Sequence, residues 1–357
     1  MPKFDNHLKL ALQISVGLVL LLTAALLFWP QKTTTVVRQI FDPPPPPPKT
    51  TTIFLAGDIM LSRNVADRMI KAGNYNLPFE KTADVTKSAD IAFANLESPF
   101  LDKPPYAQQG LVFKVELQAV AGLNFAGFDI LSTANNHAYD QGTKGLDFTI
   151  DTLVNNGIIP TGTRKTTGDE PLPVIKKNDI LYGFLSYSYT AKNDGGQSTS
   201  PYINDFNNLT KLKQDILNLK GHSADVVIVN MHAGVEYTRT PTAQQIAFAH
   251  TAIDAGADLV VGEHSHWIQT VEQYKGKWIL YGLGNFVFDQ MWSTETREGL
   301  TALVTYENKD IGPTITKIEL QPVIIDDFCC ARFADPTESS AILGKIGLTS
   351  NNLLDHN

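Results

Sequence analysis

Cysteine is nearly missing from this sequence. Its 357 residues include two, Cys329 and Cys330, and they are adjacent. Neighbouring cysteines rarely meet ordinary disulfide geometry, so the fold is expected not to rely on disulfides. With no other thiol, a thiolate zinc site is excluded, and any metal must be held by nitrogen and oxygen ligands. Clustered positive charge is missing too. Lys and Arg number 29 against 37 Asp and Glu, the formal net charge is −8, and no Lys/Arg-rich run occurs. A nucleic-acid partner is therefore not expected. There is no internal repeat. The remaining composition, 43% hydrophobic and 18% charged, is ordinary for a globular chain with ample material for a large core.

One long apolar run stands out. Leu10–Trp29 carries no charge, and its only polar residues are Gln13, Ser15 and Thr23. As a helix it would span roughly 30 Å at about 1.5 Å per residue, the thickness of a hydrocarbon core. Lys3 and Lys9 precede it and Trp29 sits at an interfacial position. A cleaved signal peptide is the alternative, but the run is long and no small-x-small cleavage pattern follows it closely. The run is read as an uncleaved signal-anchor, with residues 1–9 cytoplasmic and the bulk of the chain on the extracytoplasmic side of the cell membrane. Residues 30–51 read as a Pro/Thr-rich tether containing Pro43 to Pro48, a stiff polyproline II spacer.

From residue 52 to 328 short β-like runs alternate with helical patterns, which predicts an α/β domain with a sheet parallel in part. Strands are expected at Ile53–Ala56, Ile91–Ala94, Ile130–Thr133, Ile180–Ser186, Val226–Asn230, Leu259–Val261, Trp278–Tyr281, Leu300–Tyr306 and Ile315–Leu320. Asp147–Asn156 and Thr242–Ala255 have helical spacing, the first stopped by Gly157 and the second started by Pro241. Ser186–Asn208 reads as a long loop, and residues 329–357 as a surface tail.

Five of the strands end in residues able to bind metal. These ends are Gly57-Asp58, Asn95-Leu96-Glu97, Asn135-Asn136-His137, Met231-His232 and Gly262-Glu263-His264-Ser265-His266. Each has a plain alternative: a turn, a helix cap, a hydrogen-bonded surface histidine. Only His264-x-His266 favours function by itself. Ligands in open α/β sheets gather at the carboxyl ends of strands, so five such ends in one domain point to a shared site. Four of the eight histidines lie there. His7, His222, His250 and His356 read as structurally neutral.

Five segments, Gly57-Asp58-Ile59-Met60-Leu61-Ser62-Arg63, Asn95-Leu96-Glu97, Ala134-Asn135-Asn136-His137-Ala138, His232-Ala-Gly-Val-Glu-Tyr237 and Gly284-Asn285-Phe286, together resemble the CapA-type capsule (poly-γ-glutamate) synthesis proteins. That family is a branch of the calcineurin-like metallophosphoesterase superfamily. The resemblance implies a four-layer αββα sandwich, here preceded by one transmembrane helix. It implies one or two divalent ions (Mn, Fe or Zn), with Glu97 bridging, Asn136, His232 and His264 completing one shell, and Asp58 and His266 serving the other. His137 would be the general acid and Asp140 its orienting partner. Arg63, Asn95 and Asn285 would meet the substrate. The sequence departs from the superfamily pattern at Met60, where many members carry a histidine, and at Glu263, which would either add charge beside the site or face solvent.

Two functions follow from the resemblance. The first is a membrane-anchored metal-dependent hydrolase of the phosphoesterase type, acting in capsule or poly-γ-glutamate synthesis or export. The second is a non-catalytic metal-bearing scaffold that binds or retains an anionic surface polymer. The implied partners are the bilayer, capsular polymer and proteins of a synthesis complex. A hydrolase using two carboxylates alone fits less well, because it would not need four histidines.

Overall fold

The computed structural model describes residues 49–166, 173–193, 198–310 and 312–356, with Ser15 and Val19 as isolated positions. Apart from those two positions, the run Leu10–Trp29 and the tether up to Pro48 lie outside the described residues. No helix among the described residues is long and apolar enough to cross a membrane.

The unit Pro48–Asn357 contains two sheets. In chain order its strands are β1 (Thr50–Ile59), β2 (Ile91–Leu96), β3 (Ile130–Ser132), β4 (Ile159–Thr161), β5 (Val174–Lys177), β6 (Ile180–Ser188), β7 (Val226–His232), β8 (Leu259–Glu263), β9 (Val271–Tyr274), β10 (Lys277–Leu280), β11 (Asn285–Val287), β12 (Glu298–Lys309), β13 (Gly312–Asp326) and β14 (Cys330–Phe333). The helices are α1 (Arg63–Ala72), α2 (Ala83–Ser88), α3 (Val120–Ala126), α4 (Gly142–Asn155), α5 (Leu209–Gly221), α6 (Ala243–Asp254), α7 (Thr294–Arg297) and α8 (Pro336–Gly344). The first sheet runs β14-β13-β12-β1-β2-β3-β4, with β11 paired to the end of β1. The second runs β5-β6-β7-β8-β10-β9. Both are mixed: β1 to β4 and β6 to β8 pair in parallel, and antiparallel strands extend the edges.

Three apolar clusters fill the spaces on either side of the sheets and between them. The one between the sheets contains Ile53, Leu55, Ile91, Phe93 and Ile130 from one side and Tyr182, Phe184, Ile228 and Val261 from the other. Phe93 and Phe184 stack across the gap with centroids 5.8 Å apart. Outside the first sheet, Val65 and Met69 of α1 and Leu123 of α3 cover Phe54 and Ala92. Outside the second, Ile216 of α5 and Phe248 of α6 cover Val227 and Val229. The result is an αββα layering, as expected.

Strand alternation sets the vertical order of the gap between the sheets. Side chains two apart share a face. Phe93 is followed by Asn95, which is paired with Ser132, and Ile228 is followed by Asn230, paired with Ser186. The apolar layer therefore ends in a polar layer, and His232 and Glu263, a register pair, lie one step further. β1 needs a correction to keep this order. Leu55 pairs with Phe93 but Asp58 pairs with Asn95, so β1 carries one extra residue, a bulge that turns Asp58 toward the gap. Gly57 sits in the bulge because a Cβ there would lie 1.9 Å from the Gly284 carbonyl oxygen.

Several expectations need correction. β1 begins at Thr50, inside the expected tether, because Thr50 and Thr51 pair with Glu307 and Tyr306. The expected loop from Ser186 loses its first residues to β6. Helix α4 starts before the expected Asp147, while its stop at Asn156–Gly157 agrees. Thr242 caps α6 in a capping box with Gln245. Residues 329–357, expected as a surface tail, contain β14 and α8. Ile342, Leu343 and Leu353 are buried in the inter-sheet cluster; widely spaced apolar residues hid this contribution. The two cysteines, whose adjacency made an ordinary disulfide unexpected, form a disulfide with each other in the tight connection into β14. It bridges neighbours, so it closes no loop of chain.

The C-terminal packing is testable. Leu353→Ala is expected to cost about 2–4 kcal/mol in urea unfolding, as for a buried leucine. A tail residue would change stability by about 0.5 kcal/mol or less.

Candidate metal centre

The carboxyl ends of β1, β2, β3, β7 and β8 meet at one end of the gap between the sheets. Asp58, Glu97 and His266 offer ligand atoms that lie within 4.8 Å of one another, and all three side chains are buried. His232 links the two halves. Its Nδ1 is 3.8 Å from Asp58 Oδ1, and its Nε2 is 3.8 Å from Glu97 Oε1 and 2.7 Å from Asn136 Oδ1. The His264 ring lies 4.8 Å from that of His232, and its backbone N–H donates to Asp58 Oδ2 at 3.3 Å. All six residues expected at the metal, Asp58, Glu97, Asn136, His232, His264 and His266, therefore converge. His264 (φ 90°) and His266 (φ 55°) occupy the left-handed region, which curls the loop after β8 back toward β1. Such conformations are costly for non-glycine residues and collect at functional sites.

The electrostatics are those of a cation site. Both oxygens of Glu97 are buried without a hydrogen-bond partner, as is His264 Nδ1. Buried polar atoms are almost always paired, so this cluster of orphans calls for a group that uses them. Burial, and then the neighbouring Asp58 charge, push the Glu97 carboxyl well above its usual range. Burial and the surrounding histidines hold His232 and His264 well below theirs. Neutral imidazoles beside an unpaired carboxylate fit a divalent cation, and a donor set of oxygen and imidazole without sulfur suits Mn, Fe or Zn. Met60 does not contribute: it is buried, with its sulfur 3.0 Å from the Ser62 backbone nitrogen.

His137 stands beside this cluster. Its Nδ1 is 2.7 Å from Asp140 Oδ2 and its Nε2 is 3.7 Å from Glu97 Oε1. The imidazole stacks on Phe113, centroids 3.8 Å apart. Asp140 Oδ2 also accepts the Phe113 backbone N–H, so one carboxylate ties the ring to its aromatic wall.

The three residues expected to meet substrate occupy other positions. Arg63 is ion-paired with Asp289, and its guanidinium lies over Phe113 at 4.8 Å and Phe288 at 5.5 Å. It buttresses the wall behind His137. Asn95 is fully buried, donates to Asp58 Oδ1 at 2.7 Å and lies 3.2 Å from His232 Nδ1. Asn285 is also fully buried: its Oδ1 lies 2.9 Å from His266 Nδ1 and its Nδ2 donates to the Thr296 carbonyl. Both asparagines orient ligands, because the strand register that brings them to the site also places them beneath it. Glu263 does not face solvent. It is buried, its Oε1 accepts from Asn230 Nδ2 at 3.4 Å, and burial and then Asp58 raise its pKa strongly.

Other contributors were given no role by the sequence. Asn135 donates to Asn95 Oδ1 and the Leu96 carbonyl. Phe113 lies outside every quoted motif, and Asp289 lies three residues beyond Gly284-Asn285-Phe286. Tyr237 ended a quoted motif without a role. Its ring is 5.9 Å from that of His266 and its φ of 61° is again left-handed.

With this geometry in hand, comparison with known proteins is informative. The family described as bacterial capsule synthesis protein PGA_cap matches residues 52–290. The chain belongs to this family. It is 32% identical over 277 residues to the capsule biosynthesis protein CapA of Bacillus anthracis, covering 74% of this chain and 65% of that one. It is 30% identical over 276 residues to the PGA biosynthesis protein CapA of Bacillus subtilis (strain 168), covering 76% and 70%. The match thus spans somewhat under two thirds of the B. anthracis relative. Among solved structures, the NAD nucleotidase of Haemophilus influenzae overlaps it at a TM-score of 0.48 and 11% identity, covering 83% of this chain and 62% of that one. The family match ends at residue 290, so it holds every candidate metal ligand and leaves out β12 to α8.

Metal retention tests the site. Full-length protein dialysed after Mn²⁺ loading is expected to keep nearer one ion per chain than two. Glu97→Gln should lower affinity by about tenfold or more with an unchanged circular dichroism spectrum. Two ions surviving dialysis would refute the expectation, drawn from Met60 standing where many superfamily members carry a histidine, that the Asp58–His266 half binds weakly.

Proposed function

We propose that this chain is a metal-dependent phosphoester hydrolase that works outside the cytoplasmic membrane in capsule or poly-γ-glutamate synthesis. The observation that carries the catalytic part is His137. Its Nδ1 is held by a buried carboxylate, its face is fixed by Phe113, and its Nε2 is directed toward Glu97. His137 is not one of the six expected ligands, so this orientation is not needed to hold the cation. The biological setting rests on the names of the relatives.

Asp58, Glu97, Asn136, His232, His264 and His266 would hold the cation. When bound, it supplies a Lewis acid for a phosphoryl oxygen and lowers the pKa of a bound water. The protein's own residues do the rest. Asp140 orients His137 through Nδ1, so that its Nε2 faces the site and can donate to the leaving oxygen. Asn95 and Asn285 hold Asp58 and His266 in fixed orientations, as outer-sphere partners of ligands commonly do. The dry floor formed by Phe93 and Phe184 keeps bulk water from beneath the site.

One observation favours the scaffold reading instead. Met60 turns its sulfur to the backbone where many superfamily members place a histidine, which leaves the Asp58–His266 half with fewer ligands. In that reading the metal serves to hold an anionic polymer.

The anchor is a separate proposal, resting on the uncharged run Leu10–Trp29. Protease added to intact cells should release the domain; protection while the membrane is intact would show the opposite orientation. For catalysis, His137→Ala is expected to leave metal content and fold unchanged and to lower phosphoester turnover about 10²- to 10⁴-fold, more for poorer leaving groups. Flat rates across a panel of phosphomonoesters and phosphodiesters, with Mn²⁺ and with chelator, would leave the scaffold reading.

A further inference from the structure

The mouth of the metal centre carries an exposed tryptophan that nothing above employs. Trp292 lies in the loop between β11 and α7 and is 62% exposed, unusual for so large an apolar side chain. It is nonetheless held. Its ring meets that of Tyr237 at 82° with centroids 4.8 Å apart, and Tyr237 in turn lies 5.9 Å from the metal-site residue His266. Tyr237 is itself fixed. Its backbone N–H donates to the Ser265 carbonyl, its hydroxyl accepts from Gln290 Nε2, and Gln290 Oε1 accepts from Asn285, the partner of His266. The strained φ of Tyr237 shows that the surrounding structure imposes this placement. Trp292 is thus a rigidly backed, solvent-facing aromatic surface two ring contacts from the metal centre.

We propose that Trp292, backed by Tyr237, is a stacking platform for the sugar ring of a phosphorylated saccharide whose phosphate sits at the metal centre. This rests on the phosphoester reading and names its substrate class. One feature favours a saccharide over a nucleobase: the polar groups beside the platform include carboxylates. Glu236 adjoins Tyr237, Glu295 follows Trp292 closely and lies 3.8 Å from Arg239, and Gln290 contributes an amide. Carboxylates accept hydrogen bonds from hydroxyl groups, which a sugar has on its rim and a base lacks. The aromatic face carries the negative part of the ring quadrupole and attracts the polarised C–H bonds of a saccharide face.

The test uses metal-loaded full-length protein and three probes: glucose 1-phosphate, adenosine 5′-monophosphate and glycerol 3-phosphate. In Trp292→Ala, the ratio of kcat/KM for glucose 1-phosphate to that for glycerol 3-phosphate should fall about tenfold, carried mainly by KM, and Trp292→Phe should restore part of it. Binding by titration calorimetry separates this inference from the reading on which it rests. If no probe is turned over but Trp292→Ala weakens glucose 1-phosphate binding about tenfold, the platform stands and the hydrolase assignment falls. If turnover is present and the ratio is unchanged, the platform is overturned and the hydrolase stands. A parent protein that prefers adenosine 5′-monophosphate over glucose 1-phosphate also overturns the saccharide assignment. Neither turnover nor binding of any probe overturns both.

Discussion

The structure depends on two carboxylates kept out of water between two sheets. Asp58 and Glu97 are fully buried, and among the described residues no lysine or arginine is ion-paired with either. Burying an ionised carboxylate carries a penalty of several kcal/mol unless it is compensated. The protein compensates one and leaves the other. Asp58 accepts hydrogen bonds from Asn95 and the His264 backbone. Glu97 accepts none. The uncompensated group is the one at the centre, next to imidazoles that burial holds in the neutral form. A cation there would offset the carboxylate penalty and use the imidazole lone pairs in a single event, so its binding would stabilise the folded state of this region.

That arrangement is produced by ordinary strand geometry. Alternation carries each strand from apolar residues through one polar layer to ligands, and parallel pairing brings the layers into register across β1, β2 and β3 on one side and β6, β7 and β8 on the other. The bulge in β1 is the one irregular step. Without the extra residue Asp58 would point to the helical side, where Phe54 and Ala56 pack. The Gly284 carbonyl, just before β11, approaches the bulge so closely that only a glycine fits at position 57.

The charged residues around the mouth serve position more than recognition. Arg63 and Asp289 neutralise each other against Phe113 and Phe288, and Asp140 ties Phe113 to His137. An aromatic wall held by two ion-pair and hydrogen-bond anchors fixes the ring of His137 more firmly than a loop residue of its kind would otherwise be. Arg63 is thereby committed to Asp289 and to the two rings.

Residue types and spacing determined much of this. Apolar runs ending in Asp58, Glu97, Asn136, His232, His264 and His266 identified both the parallel strands and the site, because a strand buried on both faces has a continuous apolar signature and its carboxyl end is where ligands gather. The helix start at Thr242 and the stop at Gly157 were equally local and equally readable. What tertiary structure alone decided were matters of partner and direction. Arg63 looked like an anion ligand until Asp289, far away in the chain, was seen beside it. Asn95 and Asn285 were read as facing substrate, whereas register put them under the ligands. Glu263 offered two readings that only burial separates. Strands as short as β4 and β11, and the packing of Ile342, Leu343 and Leu353 against the inter-sheet core, leave no periodic trace, because their stability comes from contacts with distant residues. Sequence specifies which groups carry the chemistry; the direction each one faces depends on pairings between residues far apart in the chain, which no local pattern encodes.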